Sequence, residues 1–277
     1  TTKPPVRLFV SGDAEKVGDA LGEAWKKALA VLHPQFLAIA TAMTGEGRDT
    51  LYQRIAKLEQ HIAPRDRDQM KAMAKAADLK YEDVLFLNCF YSLTTRHTTA
   101  CTQLAAWGDA TPEGKLVHAR NLDWFDYPGA PLKKTHIILN VTPDEGHRYL
   151  LLTWPGLVGA LTGTNEKGIT VAYNQFIGGD RVERLAEPTF LVLRRILRTA
   201  DTLDKAVKML ADAKPLDDGS VLISDATNSS AAVVEIIDGR VAVRHAKEGE
   251  AILGNANHTT DTDGIRGKTE VPRGGGD

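Results

Sequence analysis

The sequence predicts an α+β fold, a layered sandwich with sheets in the middle and helices outside. Three observations carry this. Residues 13–95 place apolar side chains at helical spacing with few β-branched runs. From residue 102 the pattern turns to short strand-like segments parted by Gly, Asp and Pro turns. Residues 189–213 return to helical spacing before strands resume.

Taken in order, the helical segments are DAEKVGDALGEAWKKALAVL, DTLYQRIAKLEQHI, RDQMKAMAKAADL and YEDVLFLNCFYSL, with Gly45, Gly47 and Pro64 marking breaks. Helical character ends near His97. The strands that follow are QLAAW, KLVHARNL, THIILNV, RYLLLTW, LVGALTG and GITVAYNQF, joined by turns such as residues 142–146. In the second helical block Asp201 is placed as an N-cap, because its short side-chain oxygen can accept the first free N–H groups. SVLISDA, SAAVVEII, GRVAVRHA and AILGN complete the strands. From Thr259 the chain is polar and Gly-rich and reads as an unpacked, incomplete tail. The expected organisation is a helical segment over 1–100, a core over 101–258 and a tail over 259–277.

At 277 residues with a formal charge of −2, the chain can bury a large core and carries no basic footprint for nucleic acid. Its longest apolar runs are too short for a membrane span. It begins at Thr1 without Met, which suits an exported chain whose signal peptide has been removed and equally a trimmed one. Its 8 histidines show no His-Glu-x-x-His and no Cys/His pairs at zinc spacing, so no metal or other cofactor is expected. There is no Gly-x-Ser-x-Gly elbow and no phosphate-cradling loop. His118 reads as a core or structural residue on a strand.

The 2 cysteines make no disulfide framework. Cys89 lies in the apolar run VLFLNCFYSL and reads as a buried small hydrophobe. Cys101 is flanked by Thr98, Thr99, Thr102 and Gln103, and opens CTQLAAWGDATPEGKLVHARNLDWFDY. Two strands joined by a Gly-containing turn would return Arg120 and Asp123 to the neighbourhood of Cys101. A thiol, a fixed cation and a carboxylate would then share one site. A surface ion pair is the plainer reading of Arg120 and Asp123, and it weakens when Cys101 is added at this spacing.

Cys101-Thr102 followed by Arg120-Asn121-Leu122-Asp123 resembles the cysteine N-terminal-nucleophile (Ntn) hydrolases. This group includes choloylglycine hydrolase, acid ceramidase, N-acylethanolamine acid amidase and acyl-coenzyme A:6-aminopenicillanate acyltransferase. The resemblance implies a four-layer αββα sandwich with a helical N-terminal pro-segment. It also implies self-cleavage between Ala100 and Cys101. The freed α-amino group, with an ordinary pKa of about 7.7–8, would serve as general base beside the thiol it activates. Arg120 would favour the thiolate. Asp123 would hold the α-ammonium. Asn174, ending NEKGITVAYNQF, and Asn257, in NANHTTD, resemble the family's oxyanion donors. The Trp154-Pro155-Gly156 turn resembles a substrate-side loop, and Trp154 and Trp124 would wall an acyl pocket. Plainer readings stand beside these: Asn174 as a strand end, Asn257 as a turn residue, both tryptophans as core.

The activity expected is hydrolysis of a linear N-acyl amide through a thioester on Cys101, with no cofactor. The partners are a small N-acyl substrate and the chain's own two fragments, with room for a homo-oligomer. Alternatives are an acyltransferase of the penicillin-acyltransferase type, an inactive ligand-binding relative, and a papain-like hydrolase pairing Cys101 with a histidine such as His258.

Overall fold

The computed structural model describes residues 5–94, 100–123, 135–176 and 184–260. Four helices come early: α1 (Ala14–Thr44), α2 (Arg48–Glu59), α3 (Pro64–Ala77) and α4 (Tyr81–Thr94). Helix α1 starts at Asp13, whose side chain accepts from the Lys16 N–H at 2.8 Å, and stops at Gly45 in the left-handed region (φ 73°). Its buried face is Val17, Leu21, Trp25, Leu29, Leu32, Phe36 and Ala40, a stripe at i, i+4 and i+3 spacing. Gly18 and Gly22 lie where that face meets α3. A Cβ there would fall 2.4 Å from the Gln69 carbonyl oxygen and 2.5 Å from that of Met73. Helix α4 is buried from Asp83 to Thr94, as a helix apolar on nearly all sides must be.

The expected helical start is preceded by a strand that periodicity did not signal. β1 (Val6–Gly12) lies parallel to β4 (Ile137–Pro143) at one edge of the large sheet. The remaining strands are β2 (Ala100–Ala106), β3 (Val117–Asp123), β5 (Tyr149–Thr153), β6 (Thr162–Asn165), β7 (Ile169–Gln175), β8 (Gly219–Asp225), β9 (Ser230–Ile237), β10 (Arg240–His245) and β11 (Ile252–Asn255). They form an eight-stranded sheet in the order β1-β4-β5-β6-β7-β8-β9-β10 and a three-stranded sheet in the order β11-β2-β3. Of LVGALTG, only its end belongs to a strand. Helices α5 (Thr189–Thr199) and α6 (Leu203–Ala213) form the second block; the N-cap of α6 is Thr202, accepting from the Lys205 N–H, and not Asp201. Asp201 instead pairs with the Lys205 ammonium at 3.3 Å.

Strands β8 and β9 are buried on both faces, and the period of two sorts their side chains. Val221, Ile223, Ala232, Val234 and Ile236 join the large core with the helices. Leu222, Ala231 and Val233 point the other way, onto Ala105 and Leu253 of the small sheet. The described residues thus stack helices, large sheet and small sheet, an α+β sandwich. A buried ion pair, Arg194 with Asp66, ties α5 to α3, and Gln69 also accepts from Arg194. No single described helix is long and apolar enough to cross a membrane. Thr259 is buried and the Thr260 N–H donates to Glu235 at 2.8 Å, so packing runs past the expected boundary at 258.

Candidate active site

Cys101 sits at the second position of β2, directly after Ala100, whose backbone opens the strand. The register of β2 with β3 sets Cys101 opposite Leu122, Gln103 opposite Arg120 and Ala105 opposite His118. On the other side, Asn255 of β11 is opposite Gln103. Residues paired in this way share a face. Cys101, Gln103 and Ala105, with Arg120 and His118, therefore face the large sheet, and Cys101 is buried.

The outcome is a row of polar side chains between two sheets, at a depth where sandwiches are usually apolar. Asn255 Nδ2 donates to Ser220 Oγ on β8 at 2.6 Å, and Gln103 Nε2 donates to Asn174 Oδ1 on β7 at 2.5 Å. Arg120 donates to the Tyr173 carbonyl oxygen at 2.7 Å and also to Thr162 Oγ1 on β6. Each strand of the small sheet so contributes at least one side chain that reaches across to the large sheet. Buried polar groups need such partners, since each one left without costs about 1–3 kcal/mol.

Two residues nearer the start of β2, this row holds Cys101. Arg120 Nη2 lies 4.0 Å from Cys101 Sγ. The Cys101 N–H, which belongs to the peptide bond with Ala100, donates to Asn257 Oδ1. Asn257 in turn donates to the Gln175 carbonyl oxygen at 2.7 Å. Asn174 Nδ2 stands 3.5 Å from the Cys101 carbonyl oxygen and 3.4 Å from that of Asn255. Two carboxamides of opposite polarity thus grip the backbone of Cys101. The segment bearing Asn257 is pinned on both sides. Arg244 donates to the Gly254 carbonyl oxygen at 2.7 Å, and buried Glu235 accepts from the Thr260 hydroxyl at 2.8 Å.

Of the residues expected at the site, Cys101, Arg120, Asn174 and Asn257 come together. Asp123 does not. It pairs opposite Ala100 and is exposed, because a residue three positions from Arg120 on a regular strand faces the other way. Trp154 is buried in the core, where Asn88 of α4 fixes the adjoining loop by donating to the Gly156 carbonyl oxygen at 2.9 Å. Trp124 lies outside the described residues. His258 is exposed beside Asn257. Gln103, Asn255, Ser220 and Thr162 were not foreseen; only strand register reveals them.

Burial pulls the Arg120 guanidinium below its ordinary range, while Cys101 works against that shift. His118, one layer deeper, has Nδ1 2.8 Å from Ser224 Oγ. Burial, then the charge of Arg120, draws its pKa from 6.5 down to about 4. The folded chain therefore keeps His118 neutral where the unfolded chain takes up a proton. Its contribution to stability is whole above pH 6.5 and is lost as pH falls toward about 4. Denaturant unfolding at pH 7 and pH 4.5 should show His118→Gln losing roughly 2–3 kcal/mol less than the unmodified chain over that drop. Equal losses would contradict a buried neutral imidazole. Among the described residues no group of three or more His, Cys, Asp and Glu side chains is placed to hold a metal ion.

The model of the acyl-coenzyme A:6-aminopenicillanic acid acyl-transferase family matches residues 110–268, more than half of the chain. An uncharacterized protein of Archaeoglobus fulgidus is 26% identical over 216 residues, covering 68% of this chain and 35% of that protein. Protein dcd1A of Dictyostelium discoideum is 27% identical over 154 residues, covering 53% of this chain and 34% of its own length. The chain thus spans about a third of these two relatives. Among solved structures, the Caenorhabditis elegans N-acylethanolamine-hydrolyzing acid amidase ortholog aligns with a TM-score of 0.47 at 19% identity, over 57% of this chain and 70% of that one. Since the family model spans the second strand of the site hairpin, the large sheet from β4 to β10 and the segment bearing Asn257, the chain belongs to the acyl-coenzyme A:6-aminopenicillanic acid acyl-transferase family.

Proposed function

We propose that this chain is a self-processing cysteine amidohydrolase acting on linear N-acyl amides. The observation that carries the reading is the grip on Cys101: its thiol beside Arg120, its N–H on Asn257 and its carbonyl near Asn174. In self-cleavage the sulfur bonds to the Ala100 carbonyl carbon and the C–N bond to Cys101 breaks, with the thiol proton passing to nitrogen. Water then opens the thioester, leaving a carboxylate on Ala100 and restoring the thiol. The new α-amino group stands on the same residue as the nucleophile and acts as its base. Arg120 holds a charge beside the sulfur, and a carboxamide donor stabilises the oxyanion of the acyl intermediate, an effect of order 10²–10³ in rate.

Asp123 takes its assigned place against the α-ammonium only if the end of β3 turns once the chain is cut. The two fragments stay together, because β1 pairs along β4 and α3 is bonded to α5 across the cut. The family name favours one second reading, in which an amine rather than water receives the acyl group.

A panel of fluorogenic N-acyl aminocoumarin amides tests the proposal. Hydrolysis with a transient acyl adduct on Cys101, seen by mass spectrometry, is the expected result. Turnover that appears only when an amine acceptor is added would assign transfer instead. Turnover of no amide under either condition would overturn the proposal.

A further inference from the structure

We propose that Gln103 is a positioning residue that sets which end of the Asn174 carboxamide faces the nucleophile; this rests on the function proposed above. Gln103 lies two residues after Cys101 on the same inward face and is 4% exposed. Its Nε2 donates to Asn174 Oδ1 at 2.5 Å, while its own Oε1 is buried without a hydrogen-bond partner. Gln103 therefore spends its one directional bond on Asn174.

The two ends of a carboxamide differ: one only accepts, the other only donates. With Oδ1 engaged by Gln103, Asn174 must present Nδ2 on its other side. There it meets two acceptors, the carbonyl oxygens of Cys101 at 3.5 Å and Asn255 at 3.4 Å. Both sides thus agree on one orientation. Asn257 needs no comparable device, since its NH₂ is fixed by the Gln175 backbone carbonyl, which can only accept. Of the pair, Asn174 alone has a side chain, Gln103, as the partner of its oxygen. A group at 103 that only accepts would turn the Asn174 carboxamide over and aim a lone pair toward the nucleophile, where negative charge builds on the substrate's carbonyl oxygen. That replaces stabilisation with repulsion at the costliest moment of acyl transfer.

Gln103→Glu makes this change at nearly constant volume, and Gln103→Met removes the donor without supplying an acceptor. Two readouts separate the inference from the function it rests on. In the Cys101→Ala chain, the side-chain amide signals of Asn174 in ¹H–¹⁵N spectra, assigned with Asn174→Ala, should move with Gln103→Glu and return with the native glutamine. In the active protein, Gln103→Glu should lower kcat on an aminocoumarin amide about 100-fold with KM within about threefold, and Gln103→Met about 10-fold. Against an Asn174→Ala background Gln103→Glu should add nothing. Unmoved Asn174 signals, or an undiminished loss in that background, would overturn the inference. If the unmodified protein hydrolyses no amide, the proposed function fails while the spectra still decide the orientation.

Discussion

Cys101→Ala should give one uncut chain and reduce amide hydrolysis by at least about 10³-fold, since removing a nucleophile leaves only binding and oxyanion stabilisation. The size of the effect follows from the double use of one residue. In the proposed mechanism the same sulfur opens the Ala100–Cys101 bond and carries the substrate's acyl group, so no second route would bypass its loss. Folding should survive, because alanine is smaller and apolar at a buried position and the backbone bonds to Asn257 and Asn174 do not involve the side chain. Denaturing electrophoresis and hydrolysis assays read both outcomes. Wild-type turnover by this variant would show that another group is the nucleophile.

Arg120→Met should lower kcat/KM roughly 10²–10³-fold and slow alkylation of Cys101 by iodoacetamide at neutral pH. Methionine fills a similar volume but brings no charge to the sulfur that Arg120 approaches to 4.0 Å. It also strips the Tyr173 carbonyl oxygen of its donor at 2.7 Å, which should cost about 1–3 kcal/mol of stability. Arg120→Lys restores a charge and not the planar fork that reaches Thr162 and Tyr173 together. It should recover alkylation more than it recovers stability. An Arg120→Met chain that alkylates and hydrolyses at the unmodified rate would remove the guanidinium from the account.

The sequence made the helical block, the later strands and the thiol–arginine pair readable because each rests on local signals. Val17, Leu21 and Trp25 recur at helical spacing, and a Gly-bearing turn joins β2 to β3. Strand β1 escaped notice for a physical reason: it is an edge strand whose Phe9 is 75% exposed and whose burial is shallow, so alternation is faint. Its partner, β4, is about 130 residues away and parallel, and no hairpin signal exists for such a pair. The N-cap shifted by one residue because Asp201 and Thr202 are both good caps and only geometry chooses between them. Asp123 was read into the site from the hairpin and the resemblance, whereas strand period turns its side chain outward here. Gln103, Asn255, Ser220 and Thr162 became visible only when β11-β2-β3 met β8, β7 and β6 across the sandwich. Their roles are fixed by register between distant strands, which no motif in a single strand records.

Mass of the purified, active protein under denaturing conditions, joined to N-terminal sequencing, addresses the central claim most directly. The account predicts two fragments, the larger one starting at Cys101. Full activity in a polypeptide still joined at Ala100 and Cys101 would contradict it.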